Sequence, residues 1–160
     1  MAAMKKLTRN QFIPFLDVTK DTTFASSSWK QIDYSTIFEL TMNESEEDMD
    51  YICFANAVTE INGNQPELPQ EIACYEGNPI YDFMFNEFFN MPVGSDVKVP
   101  FLMCFGGTEK KAWRCVATLT SKVLNTVDGK ITFSIKMGGN IEKGTYAITS
   151  GAPTFTKSGG

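Results

Sequence analysis

Residues 112–137 read AWRCVATLTSKVLNTVDGKITFSIKM, and this stretch decides the fold. Two runs rich in β-branched and apolar residues flank Asp128-Gly129, a dipeptide that is typical of hairpin turns. Each run covers roughly a dozen residues, which is about twice the usual length of a strand. The stretch therefore predicts one long β-hairpin.

Two registers fit this turn: a two-residue loop, 128–129, and a three-residue loop, 127–129. Burial favours the second, because a one-residue slip would exchange the two faces of the hairpin. With Gly129 left-handed, the three-residue loop places the apolar residues of both strands on one face: Trp113, Cys115, Ala117, Leu119, Val123, Ile131, Phe133, Ile135 and Met137. The opposite side of the hairpin then carries polar residues: Arg114, Thr118, Thr120, Lys122, Ser134 and Lys136.

Alternating apolar residues predict further strands over 32–42 and 97–105, with shorter ones near 51–52 and 71–75. Asn78 and Pro79 are typical of a helix N-terminus, and the apolar stripe that follows predicts one helix ending by Asn90. We expect its aromatic residues to pack in the core and Glu87 to lie on the polar side; the aromatic residues are Tyr81, Phe83, Phe85, Phe88 and Phe89. These elements predict a mainly β fold, a β-sandwich or partial barrel with one flanking α-helix.

The 160 residues suffice for one continuous core, and 42% of them are hydrophobic against 21% charged. Residues 1–28 are weakly patterned and are expected to form an N-terminal arm, and 29–149 a β domain. Residues 150–160, rich in glycine and serine, are expected to form a flexible tail.

The composition excludes several classes of function. Histidine is absent, which removes the commonest general base and metal ligand. The four cysteines match no zinc or redox spacing, so we expect reduced core residues. The net charge of −5 argues against a basic surface that binds nucleic acid. No apolar run is long enough for a signal peptide or a membrane span, so we predict a soluble protein. From the missing histidine and the cysteine spacing we expect no catalytic, cofactor or metal site.

The segment 43–51, NESEEDMDY, concentrates five carboxylates: Glu44, Glu46, Glu47, Asp48 and Asp50. It lacks the sixth-position glycine and the terminal glutamate of an EF-hand calcium loop. Carboxylates without partners repel one another and stay in water unless a cation meets them. Three interpretations remain open: a solvated loop, a contact with basic residues of a neighbouring copy, or a metal site.

The order of these elements resembles the tail tube (major tail) proteins of long-tailed bacteriophages, especially the non-contractile kind of Gram-positive hosts. The resemblance covers nearly the whole chain, although no single motif is diagnostic. The stretches that carry it are LTRNQFIPFLDVT (7–19), FELTMNESEEDMDYI (38–52), EINGNQPELPQEIACYEGNPIYDFMF (60–85) and ITFSIKMGGNIEKGTY (131–146).

In that family, six copies join their sheets into a ring, and stacked rings form the tube through which DNA is ejected. The resemblance implies a structural virion protein, assembled in the host cytoplasm. Its partners would be further copies, tape measure, tail terminator and baseplate or distal tail proteins, and double-stranded DNA passing without sequence-specific contacts. The polar side of the hairpin would line the channel, and the carboxylates of Asp33 and Glu39 would offset the positive charge of its basic residues. An arm carrying Lys5, Lys6 and Arg9 would meet the acidic segment of the next ring.

Two alternatives remain open. One is the tube protein of a contractile tail or tailocin-type injection machine, which requires a sheath partner. The other is a monomeric carbohydrate-binding β-sandwich.

Overall fold

The computed structural model describes residues 3–36 and 39–158. Ten strands and one α-helix follow in chain order: β1 (Ile13–Asp17), β2 (Trp29–Gln31), β3 (Ser45–Met49), β4 (Val58–Gly63), β5 (Glu67–Ala73), α1 (Pro79–Asn90), β6 (Lys98–Cys104), β7 (Lys111–Asn125), β8 (Lys130–Met137), β9 (Glu142–Thr149) and β10 (Ala152–Lys157). The mainly β fold with one flanking helix is confirmed.

The main sheet is antiparallel in the order β10-β9-β7-β6-β1-β2, and it curls until β10 contacts β2. The result is a half-barrel. β8 pairs with the distal half of β7 on one side and with β5 on the other. β3 and β4 form a separate two-stranded hairpin.

Each face of the curled sheet covers its own apolar core. The larger core lies between the sheet and α1 and includes Phe101, Leu119 and Phe133. The smaller core fills the inside of the curl and includes Phe15, Leu102 and Tyr146. Successive β6 residues therefore enter opposite cores, which explains why this strand is buried throughout apart from its first residue.

The long hairpin forms, but neither predicted register is correct. Asn125 lies opposite Lys130, so the loop has four residues, 126–129; Gly129 is left-handed as predicted, with φ +64°. A β-bulge interrupts β7 between Thr120 and Val123. Because of this bulge, residues 113–119 still place their side chains on the predicted faces of the hairpin although the loop is longer. Beyond the bulge the faces exchange.

The exchange is visible in two neighbouring residues. Leu124 packs against the larger core, whereas Val123, expected there, is 55% exposed. The bulge residue Ser121 adopts a left-handed φ of +56°. An inserted residue of this kind shifts a strand's pattern by one position, which the sequence pattern alone did not indicate.

Some of the remaining elements were predicted correctly and others were not. The helix is confirmed at its predicted start, where Asn78 Oδ1 accepts a hydrogen bond from the Ile80 amide at 3.1 Å, and the strand over 97–105 is confirmed as β6. The described residues of 32–42 (37–38 lie outside them) form no strand; isolated bridges at Ser35 and Thr41 pair them with β5. The strand expected near 51–52 begins at Val58, and β5 begins four residues before the predicted 71–75.

Both ends of the chain differ from prediction. The expected arm contains β1, whose Phe15, Leu16 and Asp17 are buried. The expected tail contains β10, which pairs with β9 along its length. β1 is buried on both faces and so lacks alternation, and β10 is short and rich in small polar residues, so neither gave a strand pattern.

The cysteines are free, but they are not all in the core. Cys104 and Cys115 are buried, and burial raises the pKa of each thiol to about 12. Cys74 is half-buried, and Cys53 is exposed, which corrects the prediction for that residue. Among the described residues, no helix is both long and apolar enough to cross a membrane.

Candidate assembly surfaces

Four of the six residues predicted to line a channel share one face of the β7–β8 ladder. Thr118 lies opposite Lys136, and Thr120 lies opposite Ser134. Three of them are half-buried and Ser134 is buried, in contrast to the fully wet surface that the sequence suggested. We call Thr118, Thr120, Ser134 and Lys136, with their β5 neighbours Glu67 and Glu71, the polar face.

Carboxylates from β5 balance the two lysines of β8, Lys130 and Lys136. Glu67 lies opposite Lys136 and accepts a hydrogen bond from Ser134 Oγ at 2.5 Å. This bond, with a second from Asn43, holds the pKa of Glu67 below its ordinary value. Lys130 Nζ lies 2.7 Å from Glu71 Oε1. The offsetting charge thus comes from β5, not from Asp33 and Glu39 of the irregular 32–42 segment.

Arg114 does not join that surface. Its guanidinium is paired with Glu142 of β9 at 3.1 Å, and its side chain is 23% exposed. The same group lies between the rings of Phe24, at 4.3 Å, and Phe155, at 4.7 Å from the ring centroid. Arg114 therefore closes the edge of the smaller core and has little surface left for another partner.

Lys122 is also displaced from the polar face. It lies in the β7 bulge, where the Glu87 carboxylate of α1 attracts its ammonium and the Lys20 ammonium repels it. Burial lowers the pKa of Lys122, with the Glu87 carboxylate acting in the opposite direction. Glu87, expected on the polar side of the helix, is buried and pairs with Lys20 Nζ at 2.5 Å. These charges link α1, the 17–28 loop and β7.

The distal half of β7 has an open edge. β6 pairs with β7 only as far as Thr118, while β8 follows β7 to Asn125. In the described part of the chain, no strand pairs with residues 121–125 on the side opposite β8. Unpaired N–H and C=O groups at such an edge form a template for a strand of another chain.

Most of the acidic segment forms β3, one of the two strands of the β3–β4 hairpin, rather than a loop. The five carboxylates are exposed. Asp48 accepts a hydrogen bond from Thr59 at 2.6 Å, and Glu47 accepts one from Asn62 at 3.2 Å, each across the ladder. No group of three or more potential metal ligands occurs among residues 3–36 and 39–158.

The basic residues predicted for an arm lie at the start of the described chain. Lys5 and Lys6 are exposed and precede any regular element. Arg9 begins a short 3-10 helix, Arg9–Gln11, that leads into β1. Within this chain the three residues and the acidic hairpin form no salt bridge that involves described residues.

The aromatic face of α1 is a surface that the sequence interpretation missed. Ile80, Met84 and Glu87 point into the protein, so the second apolar stripe of the helix faces outward. Phe85, Phe88 and Phe89 are 39%, 37% and 67% exposed. The only sequence signal was the width of the stripe, which exceeds what one helix face can bury.

The solved structures that share this fold include chains from three tail or injection particles. A chain from the tail of an empty GTA particle, computed with helical refinement and C6 symmetry, has a TM-score of 0.62 at 11% identity, covering 85% of this chain and 97% of that chain. A chain from the anti-feeding prophage tube-terminating cap has a TM-score of 0.58 at 11% identity, covering 91% and 95%. A chain from the PVC sheath/tube terminator of an extracellular contractile injection system, in its extended state, has 0.51 at 11% identity, covering 89% and 99%.

These structural neighbours are components of phage-like tails and injection particles. No protein-family model matches the sequence, and no curated protein matches it. At 11% identity the likeness establishes the fold and nothing finer.

Proposed function

We propose that this chain is a non-enzymatic tail tube subunit of a virion, six copies of which close into a ring that stacks into a tube for DNA. The open edge of β7 beside the polar face carries this proposal. An exposed edge is removed when the sheets of successive copies join around an axis. A head-to-tail contact that closes by rotation gives a ring.

The polar face then lines the channel. Lys136 lies opposite Glu67, and the neighbouring Lys130 is paired with Glu71, so a passing polyanion meets alternating charges along β5 and β8 instead of a continuous basic surface. Binding through neutralised phosphates weakens when few cations are free, and the duplex is able to slide. Arg114 is excluded from this lining because it is paired with Glu142, and Lys122 is excluded because its ammonium lies near Glu87 of α1.

Contacts between rings form between an acidic segment of one copy and a basic segment of another. The acidic β3–β4 hairpin of one copy meets Lys5, Lys6 and Arg9 of a copy in the adjoining ring. At the ends of the tube, tape measure, terminator and baseplate or distal tail proteins are the expected partners. Assembly takes place in the host cytoplasm before the tail is complete.

The second candidate is a tube or terminator subunit of a contractile system. One observation favours it: two of the three solved structures come from the terminator or cap of such particles. A contractile tube binds a sheath, and a terminator stops after one ring. Co-assembly with a sheath protein, or rings that never stack, would favour this candidate over a non-contractile tube.

Negative-stain microscopy and sedimentation of the concentrated protein test the proposal. We expect rings or striated tubes from the wild type, and none from Val123→Lys, which places a charge on the open edge. Val127→Lys, at a 94% exposed position in the turn, is the matched control and should assemble normally. A wild-type protein that stays monomeric at every concentration and binds glycans would overturn the proposal.

A further inference from the structure

A cavity of about 500 Å³ lies beside the polar face, where β6, β7 and β8 are neighbours. Thr118 and Lys136 of the polar face form part of its wall, and Lys98, the first residue of β6, forms another part. Lys98 is exposed, and its Nζ donates a hydrogen bond to Thr118 Oγ1 at 2.6 Å. We call this space the Lys98–Lys136 cavity.

The strand register places the two lysines on either side of Thr118. Lys98 lies opposite Thr118 on one side, and Lys136 lies opposite it on the other. Residues in such a row share a face of the sheet, and with strands about 4.8 Å apart the two lysine backbones are about 10 Å apart. One oxyanion above Thr118 can therefore contact both ammonium groups. Because Thr118 Oγ1 accepts its bond from Lys98, its own hydrogen is able to point at the same anion.

The carboxylate in the cavity wall is already engaged. Glu142 is the one acidic side chain among the described residues that line the cavity. Its oxygens lie 3.1 Å from the Arg114 guanidinium and 3.7 Å from Lys157 Nζ. The negative charge of Glu142 is thus offset from outside the cavity, and it does not neutralise the two lysines that line the cavity.

The two lysines themselves are not in contact with a carboxylate. Lys136 lies opposite Glu67 and attracts it, but the Glu67 oxygens accept hydrogen bonds from Ser134 and Asn43. Across residues 3–36 and 39–158, neither Lys98 nor Lys136 takes part in a salt bridge. The cavity therefore combines two unpaired positive charges with a hydroxyl group between them.

We propose that the Lys98–Lys136 cavity binds a backbone phosphate of DNA. The choice of ligand rests on the proposed function, because the polar face would meet the duplex in the channel. Ammonium groups bind phosphate as point charges, and polar side chains such as Thr118 and the exposed Asn140 of the cavity wall add hydrogen bonds. Contacts of this kind carry no base sequence information.

The contact is weak in each copy and is repeated along the tube. Two lysines neutralise little phosphate charge, so each site releases few counterions. A duplex in a filled tube would be held at regular points and would still be able to slide between them. The hold should weaken as salt rises, since exposed charges are screened.

Acetylation rates report on the two ammonium groups separately. The full chain is treated with N-hydroxysuccinimidyl acetate, either in phosphate or in chloride of equal ionic strength, and each lysine is quantified by peptide mass spectrometry. With phosphate at about twice its dissociation constant, Lys98 and Lys136 should react about threefold more slowly. Lys30, exposed on β2, is the internal control and should react equally fast in both salts. Equal slowing of all three lysines, or no slowing, overturns the site.

Two further ligands test whether the anion is the phosphate of DNA. A short synthetic duplex should protect the same two lysines at a lower phosphate concentration than the inorganic ion. Acetate at equal ionic strength should protect them less than phosphate does. Protection by inorganic phosphate but not by the duplex overturns the assignment to DNA, and equal protection by acetate overturns the assignment to phosphate.

Variants test whether both charges act on one anion. Lys98→Gln should remove the protection of Lys136, whereas Lys98→Arg should retain it. Asn140→Asp, which adds a carboxylate to the wall, should abolish the protection of both lysines. Lys30→Gln changes the net charge by the same amount as Lys98→Gln and should leave both protected. The altered side chains are exposed, so the thermal midpoints should not change.

The outcomes separate this inference from the proposed function. Protection of Lys136 that survives Lys98→Gln overturns the two-lysine site. Rings and tubes from a chain without phosphate protection overturn the site and leave the proposed function standing. Protection in a chain that never forms rings overturns the proposed function, and with it the assignment of the anion to DNA in a channel.

Discussion

Arg114 and Glu142 lie directly opposite each other on β7 and β9, with Nη2 and Oε1 separated by 3.1 Å. The pair bridges the two strands at the rim of the smaller core, where both side chains are more than three-quarters buried. An ion pair in this position is costly to break on one side only, because the remaining charge stays in an apolar environment.

Glu142→Gln should lower the free energy of unfolding. We expect a loss of about 1–3 kcal/mol, less than the roughly 3–5 kcal/mol of a fully buried pair because some solvent reaches both groups. Urea denaturation measures the change. Lys157→Gln is the control: Lys157 lies 3.7 Å from Glu142 but is 64% exposed, and its loss should be within about 0.5 kcal/mol. Equal effects would contradict a special role for Arg114.

Asp17→Asn should destabilise the protein at neutral pH. The buried Asp17 carboxylate accepts hydrogen bonds from Thr19, Asp21 and Ser28, and an amide group cannot accept at both ends. We expect a loss of about 1–3 kcal/mol. Asp33→Asn, at an exposed position, should be close to neutral.

The effect of Asp17→Asn should also depend on pH. Burial raises the pKa of Asp17, but the hydrogen bonds outweigh it and hold the pKa below the ordinary 3.8. A depressed folded-state pKa gives stability that is present above the unfolded-state pKa and lost as pH falls through the folded-state value. The gap between wild type and Asp17→Asn should therefore be full at pH 7 and shrink below about pH 4. A gap that stays constant from pH 7 to pH 2 would exclude the carboxylate as its cause.

Gly129→Ala should weaken the long hairpin. Gly129 has a φ of +64°, and a Cβ there meets nothing within 4 Å, so the cost is in the backbone alone. We expect about 1–2 kcal/mol from thermal or urea unfolding. Gly138→Ala, where a Cβ is equally free and φ lies outside the left-handed region, should cost much less.

Removal of residues 1–7 should separate assembly from folding. The first regular element of the described chain begins at Arg9, so the thermal midpoint should stay within about 2 °C of the wild type. Loss of Lys5 and Lys6 should reduce stacking in the sedimentation assay. Removal of 1–28 should instead unfold the chain, because it deletes β1, which pairs with β6 on one side and β2 on the other.

Charge reversal should identify the contact between rings. Glu46→Lys/Glu47→Lys and Lys5→Glu/Lys6→Glu should each weaken stacking, and a single chain that carries both changes should recover it. Wild-type stacking should fall as salt rises from 0.05 to about 0.5 M, since exposed charges are screened. Glu109→Lys, an exposed reversal elsewhere, is the control. Failure of the combined variant to recover would argue against this pairing.

The sequence predicted elements best where deeply buried residues alternate with residues that keep part of their surface exposed. That is the case for the proximal half of β7, for β8 and for the start of α1, which its Asn78 cap marks locally. Prediction failed where both faces are buried, as in β1, and where a bulge changes the period, as at Ser121. Long-range pairing also escaped it, because nothing local indicates that Glu142 reaches Arg114.

The candidate surfaces were predicted unevenly for a related reason. Thr118, Thr120, Ser134 and Lys136 follow from strand alternation alone. The β5 carboxylates that balance Lys136 and Lys130 depend on which strand lies beside β8, and the outward aromatic face of α1 depends on which of two apolar stripes the core accepts. Both are decided by tertiary packing.

The bulge in β7 has a mechanical consequence. On its proximal side the strand is clamped between two ladders, whereas on its distal side a single ladder holds it. Support for β7 therefore drops at Ser121, while Leu124 and the opposite Ile131 of β8 keep the distal ribbon packed on the larger core. In a polymer of this chain, bending beyond that point would have to carry the larger core with it, so each copy would contribute only a small change of curvature.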